Sequence, residues 1–154
     1  MPETTDTLIQ TLQEWVETFM RHSMHRFFLF IKENDLSMSQ MGALMNIHRL
    51  GVCSVSDIGD ELGVTSAAAS QMLERLVQQG LIERTEDPGD RRAKQIVLTE
   101  KGRQMIRKSF DARQAWLGEL AANFTPAERE QAHAALRLLL EKTKELGGEV
   151  DGRQ

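Results

Sequence analysis

Apolar residues recur every three or four positions through most of the chain, and this spacing predicts a mainly helical fold. The first such segment runs from about Thr7 to Glu33. It is longer than one globular helix usually needs, so we expect its far end to pack against something other than its own domain. A second helix is expected to start with an N-cap at Ser39 and to stop at Gly51.

Two short helices occupy the middle of the chain. The first runs from Ser54 to a stop at Gly63. The second is expected to be capped by Thr65 or Ser66 and to end at Gly80. A tight turn therefore joins them.

The period of apolar residues changes after these helices. Residues 81–86 and 94–98 are strand-like, and a turn rich in Pro, Gly and charge lies between them at 87–92. Two short helices followed by a two-stranded hairpin are typical of a winged helix-turn-helix. The predicted fold class is therefore mainly α with a small β-hairpin wing.

Two further helices close the chain. The first opens at Thr99, and the second starts at the capping box Thr125–Glu128. We expect these apolar residues of the first to be buried: Met105, Ile106, Phe110, Trp116, Leu117 and Leu120. Leucines nearly surround the last helix: Leu136, Leu138, Leu139, Leu140 and Leu146. That is more apolar surface than one small domain can cover.

Composition narrows the class of protein. Of the 154 residues, 40% are hydrophobic, which is enough to bury a core. The 27% that are charged exclude a membrane-embedded protein. No apolar stretch approaches the roughly 18 to 20 residues of a membrane span, and the start of the chain lacks the pattern of a secretion signal. A single cysteine, Cys53, allows no intrachain disulfide or zinc site built on cysteine spacing. We expect a cytoplasmic protein without contact to a membrane.

Charge is unevenly distributed. The whole chain carries a net charge of -4. The segment from Arg84 to Arg113 holds nine basic and five acidic residues, a net charge of +4, and acidic residues dominate both ends. A basic middle is compatible with a protein that presents one face to DNA.

The helix after Gly63 has the composition of a reading helix. If Ala69, Met72, Leu73 and Leu76 form its buried stripe, a rotation of 100° per residue turns another set outward. This set is Ala67, Ser70, Gln71 and Glu74, with Arg75 at the flank. Glutamine can bond adenine through two hydrogen bonds, and serine suits a phosphate or a base edge. The competing interpretation is an alanine-rich helix that is merely a good helix former.

Polar groups flank that helix at its start and in the hairpin. Thr65 and Ser66 are placed for a backbone phosphate, where the helix dipole also helps. The hairpin turn carries Asp90, Arg91 and Arg92, with Lys94 just behind them. An arginine at such a tip can enter the minor groove of DNA, and Asp90 can brace the Arg92 guanidinium. Alternatively, these charges only solubilise a loop.

The run from Ser54 to Gly102 resembles the MarR (multiple antibiotic resistance regulator) family. Four motifs carry the resemblance: Ile58-Gly-Asp-Glu-Leu62, Leu76-Val-Gln-Gln-Gly-Leu-Ile-Glu-Arg84, Asp87-Pro-Gly-Asp-Arg-Arg92 and Val97-Leu-Thr-Glu-Lys-Gly102. The run from Ser54 to Gly102 covers about a third of the chain. The combination is specific, whereas each motif alone would be weak.

The resemblance implies a homodimer that binds double-stranded DNA at a pseudo-palindromic operator, with half-sites about one helical turn apart. It would place Arg92 in the minor groove, braced by Asp90, and Ser66, Ala67, Ser70 and Gln71 at the major groove. The expected domains are a helical dimerisation region at 1–35 and 100–148, a DNA-binding region at 36–99, and a flexible tail at 149–154.

The resemblance also implies a small aromatic or phenolic effector, held between the dimerisation and DNA-binding regions. The candidate residues on the first two helices are Trp15, His22, His25, Met41, Met45 and His48. Apolar and methionine residues at helical spacing are more often core residues, so that alternative stays open. We expect no metal site and no cofactor.

The remaining motifs argue against an enzyme. The chain has no Gly-rich phosphate loop, no nucleophile elbow and no His-Glu-x-x-His run. We therefore predict a DNA-binding transcriptional regulator, and a repressor rather than an activator. The alternative is a winged helix that docks on protein. That alternative predicts an uncharged or acidic hairpin, whereas this hairpin carries Arg91, Arg92 and Lys94.

Overall fold

The computed structural model describes residues 4–86, Gly89 and 94–147, and the predicted mainly helical winged helix-turn-helix is confirmed. Its elements are α1 (Thr5–Glu33), α2 (Met38–Leu50), α3 (Val55–Leu62), α4 (Ser66–Gln78), β1 (Ile82–Glu86), β2 (Lys94–Leu98), α5 (Glu100–Ala122) and α6 (Pro126–Gly147). The chain forms two compact units, Met1–Ala115 and Trp116–Gln154. The tail expected at 149–154 lies outside the described residues.

Helix α2 begins two residues earlier than the sequence predicts. Its N-cap is Ser37 and not Ser39: the Ser37 Oγ accepts a hydrogen bond from the Gln40 N–H at 3.1 Å. The Gln40 Oε1 in turn accepts from the Ser37 N–H at 2.8 Å. Only Ser37 has a glutamine three residues later, since Gly42 follows Ser39 at that spacing. The prediction for Ser39 was wrong because it weighed the serine without its reciprocal partner.

The other caps lie at the expected residues. The Ser54 Oγ accepts from the Asp57 N–H at 3.2 Å, and Asp57 accepts from the Ser54 N–H at 2.7 Å. These backbone and side-chain hydrogen bonds lower the pKa of the Asp57 carboxyl. Thr65 caps α4, and Thr125 with Glu128 forms the capping box of α6. Each short helix thus has a local signal that sets its start.

One hydrophobic core is formed by the four helices α1, α2, α3 and α4, the hairpin and the start of α5. Its buried residues are Phe27, Ile31, Leu36, Met41, Ala43, Leu44, Ile47, Cys53, Ile58, Leu73, Leu76, Leu81, Ile82, Ile96, Leu98 and Ile106. The Arg113 guanidinium lies 4.7 Å from the centre of the Phe27 ring, which adds a cation–π contact between α5 and α1. Full burial of side chains of this size stabilises a fold by roughly 1.5 to 3 kcal/mol each.

Large apolar side chains remain exposed in the first half of α1 and on α6. They are Leu8, Ile9, Trp15, Val16, Met20, Leu136, Leu138 and Leu140. Phe110 of α5, which was expected to be buried, is 45% exposed. The buried face of α5 is centred on Gly102, Ile106 and Ser109, and Phe110 projects at its edge. Even so, no helix in the described ranges is long and apolar enough to cross a membrane.

The hairpin is antiparallel and is anchored at its base. Ile82 lies opposite Leu98, and Glu86 lies opposite Lys94. Cys53 adds an isolated antiparallel bridge: its N–H donates to the Ile96 carbonyl at 3.2 Å, and the Ile96 N–H donates back at 2.7 Å. The sequence did not predict this bridge, because a single residue between two helices has no strand pattern. It holds the hairpin against the α2–α3 connection.

The start of α5 approaches the end of α4 very closely. The Thr99 hydroxyl donates to the Gly80 carbonyl at 2.7 Å and accepts from the Gly102 N–H at 3.0 Å. The Thr99 N–H donates to the Leu81 carbonyl at 3.1 Å. A Cβ at Gly102 would lie 2.0 Å from that Leu81 oxygen. Position 102 therefore needs glycine for space.

We expect Gly102→Ala to lower the free energy of unfolding by roughly 2 to 3 kcal/mol, because the new methyl group must push the backbone apart. Gly118→Ala on the same helix meets nothing within 4 Å and is the matched control. That change should be neutral or stabilise by roughly 0.5 to 1 kcal/mol. Urea unfolding followed by circular dichroism at one protein concentration measures both. Equal stability of the two variants would contradict the steric requirement.

Candidate nucleic-acid interface

Helix α4 buries the stripe that its periodicity predicts. Ala69, Leu73 and Leu76 are fully buried, although Met72 of the same stripe is only half-buried. The opposite side carries residues expected to read DNA: Ala67, Gln71 and Arg75 are exposed, and Ser70 is half-buried. The core contact therefore determines which side of the helix faces outward.

The start of α4 follows a tight turn. Gly63 ends α3 with φ 64°, a left-handed conformation that favours glycine. The Thr65 Oγ1 accepts from the Ala68 N–H at 3.2 Å, so this predicted phosphate contact already serves as the cap. The Ser66 hydroxyl makes no hydrogen bond to a described residue. The first N–H groups of a helix lack intrahelical partners and can bind phosphate oxygens.

Three polar side chains on the outward side of α4 remain available. Gln71, Arg75 and Gln78 have no side-chain hydrogen bond or ion pair with any residue in the described ranges. They line an open depression together with Ser70 and other residues of α4. Donors that no protein group satisfies in such a place can bind base edges or phosphates.

An ion pair bounds this surface on the side of the hairpin. The guanidinium of Arg84 in β1 lies 3.2 Å from the carboxylate of Glu74, and both side chains keep contact with solvent. Sequence reasoning placed Glu74 on the outward face but missed its partner. The pair brings a carboxylate onto the surface and compensates Arg84 at the same time.

The DNA contacts predicted on the wing fall into two groups. Asp90, Arg91 and Arg92, three of the predicted DNA contacts, lie outside the described residues. Lys94 begins β2, and its backbone pairs with Glu86 of β1. The structure thus supplies the base of the wing and leaves the role of the tip a prediction.

Several basic residues of the positive segment are engaged within the protein. Lys101 donates to the Gln79 carbonyl at 2.7 Å. Arg103 and Arg107 both bond Glu100, at 3.0 and 2.7 Å, and hydrogen bonds from them lower the pKa of that carboxyl. The excess of basic residues in this segment therefore overstates the charge available to a ligand.

The candidate effector residues differ in exposure. Met41 is 1% exposed and packs in the core, and Met45 is half-buried. Trp15 and the histidines His22, His25 and His48 are exposed in this single chain. Within the described ranges no group of three or more His, Cys, Asp or Glu residues could hold a metal ion.

Known proteins resemble this chain in sequence. A sequence model described as the MarR family matches residues 34–93. The HTH-type transcriptional regulator YfiV of Bacillus subtilis is 29% identical over 105 residues, which are 68% of this chain and 66% of YfiV. Over this central part, the chain is similar to the MarR family. It spans between 57% and 66% of the length of the first three curated relatives it matches.

Solved structures of other proteins share the fold. The transcriptional regulator Tm0710 of Thermotoga maritima aligns with a TM-score of 0.76 at 21% identity, covering 97% of this chain and 100% of that protein. A mutant of MepR from S. aureus, solved bound to an oligodeoxyribonucleotide, aligns with a TM-score of 0.65 at 22% identity, covering 92% and 99%. The stretch matched to the MarR family contains α2 to α4 and β1, the elements that carry the candidate interface.

The single thiol of the chain is buried. Cys53 is 5% exposed. Burial first, and the negative charge of Asp57 second, raise the pKa of the Cys53 thiol to about 11. The thiol is therefore protonated at neutral pH, which favours a structural role for Cys53 over a reactive one.

We expect Cys53 to react with Ellman's reagent at pH 8 roughly 100-fold more slowly in the folded protein than in urea, because a raised pKa removes thiolate. Since the folded pKa lies above the unfolded one, the associated stability is present below about pH 9 and declines as the pH rises toward 11. Cys53→Ala should lack that decline. Rapid labelling of the native protein would contradict the burial.

Proposed function

We propose that this chain is a sequence-specific DNA-binding transcriptional regulator. The observation that carries the proposal is the outward side of α4. There, Gln71 and Arg75 project without partners among the described residues, opposite a fully buried stripe that fixes the helix to the core. A helix held in this way can enter the major groove while its polar side chains meet base edges. Thr65 and Ser66 at its start, and Arg91, Arg92 and Lys94 of the wing, complete the proposed contacts.

The proposal includes a homodimer. The large apolar side chains exposed on the first half of α1, and those exposed on α6, give each of these helices an apolar surface of the kind that marks protein–protein contacts. A second copy of the chain would cover it, with residues 1–35 and 100–148 as the dimerisation region and 36–99 as the DNA-binding region. Two-fold symmetry then requires a pseudo-palindromic operator with half-sites about one helical turn apart.

We also propose repression as the outcome of binding, because a dimer seated on an operator occupies DNA that transcription needs. A small aromatic or phenolic effector would relieve it, held near Trp15, His22 and His25 of α1 together with Met45 and His48 of α2. The proposal assigns no catalytic step to the chain. We propose a cytoplasmic location, because the chromosome of a bacterium lies in the cytoplasm and the similar proteins are bacterial.

The experiment that tests the function is selection of bound sequences from a pool of short random duplexes at two salt concentrations. We expect recovery of a palindromic motif. Its affinity should fall steeply with salt, because each phosphate contact releases condensed counterions. Binding of the same protein to a protein partner would lack this slope.

Retention of no duplex at either salt, by a dimer that is shown to be folded, would contradict the proposal. It would favour the alternative, a winged helix that docks on protein. Adding candidate phenolic compounds to the retained complex tests the effector separately. Unchanged affinity with all of them would remove the effector and leave the DNA binding in place.

The ion pair at the edge of the interface gives a further prediction. Glu74→Gln should increase affinity for any duplex several-fold, because it removes a carboxylate that repels phosphates and releases Arg84 to bind one. The slope of log affinity against log salt should steepen by about 0.9 for each released arginine. Glu130→Gln on α6 makes the same change in net charge and should have little effect. Equal affinities of the two variants would contradict this role.

A further inference from the structure

A groove lies between the start of α2 and the outer side of α4. It encloses about 280 Å³ and its polar lining includes Ser39, Gln40, Gln71 and Arg75. No carboxylate belongs to the lining. The groove is thus a concave site with one guanidinium and several hydrogen-bond donors, and it adjoins the proposed reading face of α4.

The Gln40 side chain is the buried donor of this groove. The residue is 7% exposed, and its Oε1 is held at 2.8 Å by the Ser37 N–H. That bond fixes the amide plane, while the Nε2 has no hydrogen-bond partner in the part of the chain described. Among the described residues, the buried side-chain polar atom without a partner is the Oε1 of Gln79, so the Gln40 Nε2 is open to the solvent in the groove. A ligand oxygen in the groove would satisfy it.

The start of α2 supplies further donors. Because Ser37 is the cap, the Ser39 side chain is not needed for capping, and its hydroxyl makes no hydrogen bond to a described residue. The N–H groups of Met38 and Ser39 also lack an acceptor in the described ranges. Together with the helix dipole, they favour a negative charge beside Gln40.

Arg75 contributes the positive charge from the opposite side. Its guanidinium has no ion pair or hydrogen bond within the described ranges, and the residue lines both this groove and the open depression on the reading side of α4. Gln71 lies in both as well. If α4 lies in the major groove of a DNA duplex, the sugar–phosphate backbone of that duplex would therefore pass along the edge of the protein groove between α2 and α4.

We propose that this groove binds one backbone phosphate of the operator in each protomer. We call it the phosphate seat and define it by Ser39, Gln40 and Arg75. Arg75 neutralises the phosphate, and the Gln40 amide and Ser39 hydroxyl donate to its oxygens. The phosphate seat determines how deeply, and in which register, α4 enters the major groove of the DNA. This inference rests on the proposed function of DNA binding.

The Gln40→Glu variant separates the effect of the phosphate seat on DNA binding from any effect on the stability of the fold. A glutamate keeps the acceptor that the capping box needs, so helix α2 should stay capped and the unfolding midpoint should not fall. The same change replaces the donor with a carboxylate that repels phosphate. We expect operator affinity to drop about tenfold or more for each protomer, the equivalent of losing one hydrogen bond to a charged group. Asn46→Asp on the same helix makes an equal change from amide to carboxylate outside the groove, keeps the oxygen that accepts from Arg49, and should bind like wild type.

A scan with single methylphosphonates identifies the phosphate. In the wild-type protein, one neutralised position in each half-site should weaken binding about tenfold, and on that duplex Gln40→Glu should bind almost as well as wild type. Ser39→Ala should show a smaller loss, about threefold, with the same dependence on that position. This interdependence is what a merely structural role for Gln40 would not produce.

Two outcomes overturn the seat in different ways. If wild type binds its operator with a steep salt dependence and Gln40→Glu binds equally well, or its loss is the same on every methylphosphonate duplex, the seat is wrong and the proposed function stands. If folded wild-type protein binds no duplex at all, the proposed function fails and the seat falls with it.

Discussion

The close approach of α5 to the end of α4 is the contact on which the winged helix depends. Gly102 leaves room for the Leu81 carbonyl, and Thr99 bonds the adjoining backbone on both sides. From the other direction, the Gln79 amide donates to the Asp35 carbonyl at 3.2 Å, in the turn between α1 and α2. The end of α4 is therefore held at once by the helix that follows the hairpin and by the turn that follows α1. A reading helix needs such support, since a displacement of about an ångström would misplace every side chain that meets a base.

Electrostatics at the candidate interface depend on which charges are already paired. Lys101, Arg103 and Arg107 make short contacts within the protein, whereas Arg75 makes none with a described residue. Counting charges along the sequence could not separate these cases. Because an unpaired guanidinium needs no rearrangement before it meets a phosphate, one available arginine beside a groove without carboxylates contributes more to binding than several engaged ones. This is how a chain with a net charge of -4 can still present a surface suited to DNA.

The error at the start of α2 shows where local pattern is ambiguous. Ser37 and Ser39 are both good caps by type, and only the reciprocal bond with Gln40 decides between them. The choice has a consequence for function, because it makes Gln40 a buried side chain with a fixed amide and leaves Ser39 available. Phe110 illustrates a second limit. Helical spacing marks it as apolar-face residue, yet the burial of Ser109 shows that α5 is rotated slightly away from it. A spacing rule cannot resolve such a rotation when polar and apolar residues are interleaved.

The sequence by itself determined the helices, the turns at Gly63 and Gly80, the hairpin and the buried stripe of α4, because caps, glycine conformation and apolar periodicity act over three or four residues. Tertiary structure alone decided which distant groups meet. The bridge from Cys53 to Ile96, the pair of Glu74 with Arg84 and the groove that brings Gln40 beside Arg75 all join separate elements. Such pairings depend on how the helices pack around a shared core, and no short stretch of sequence carries that information.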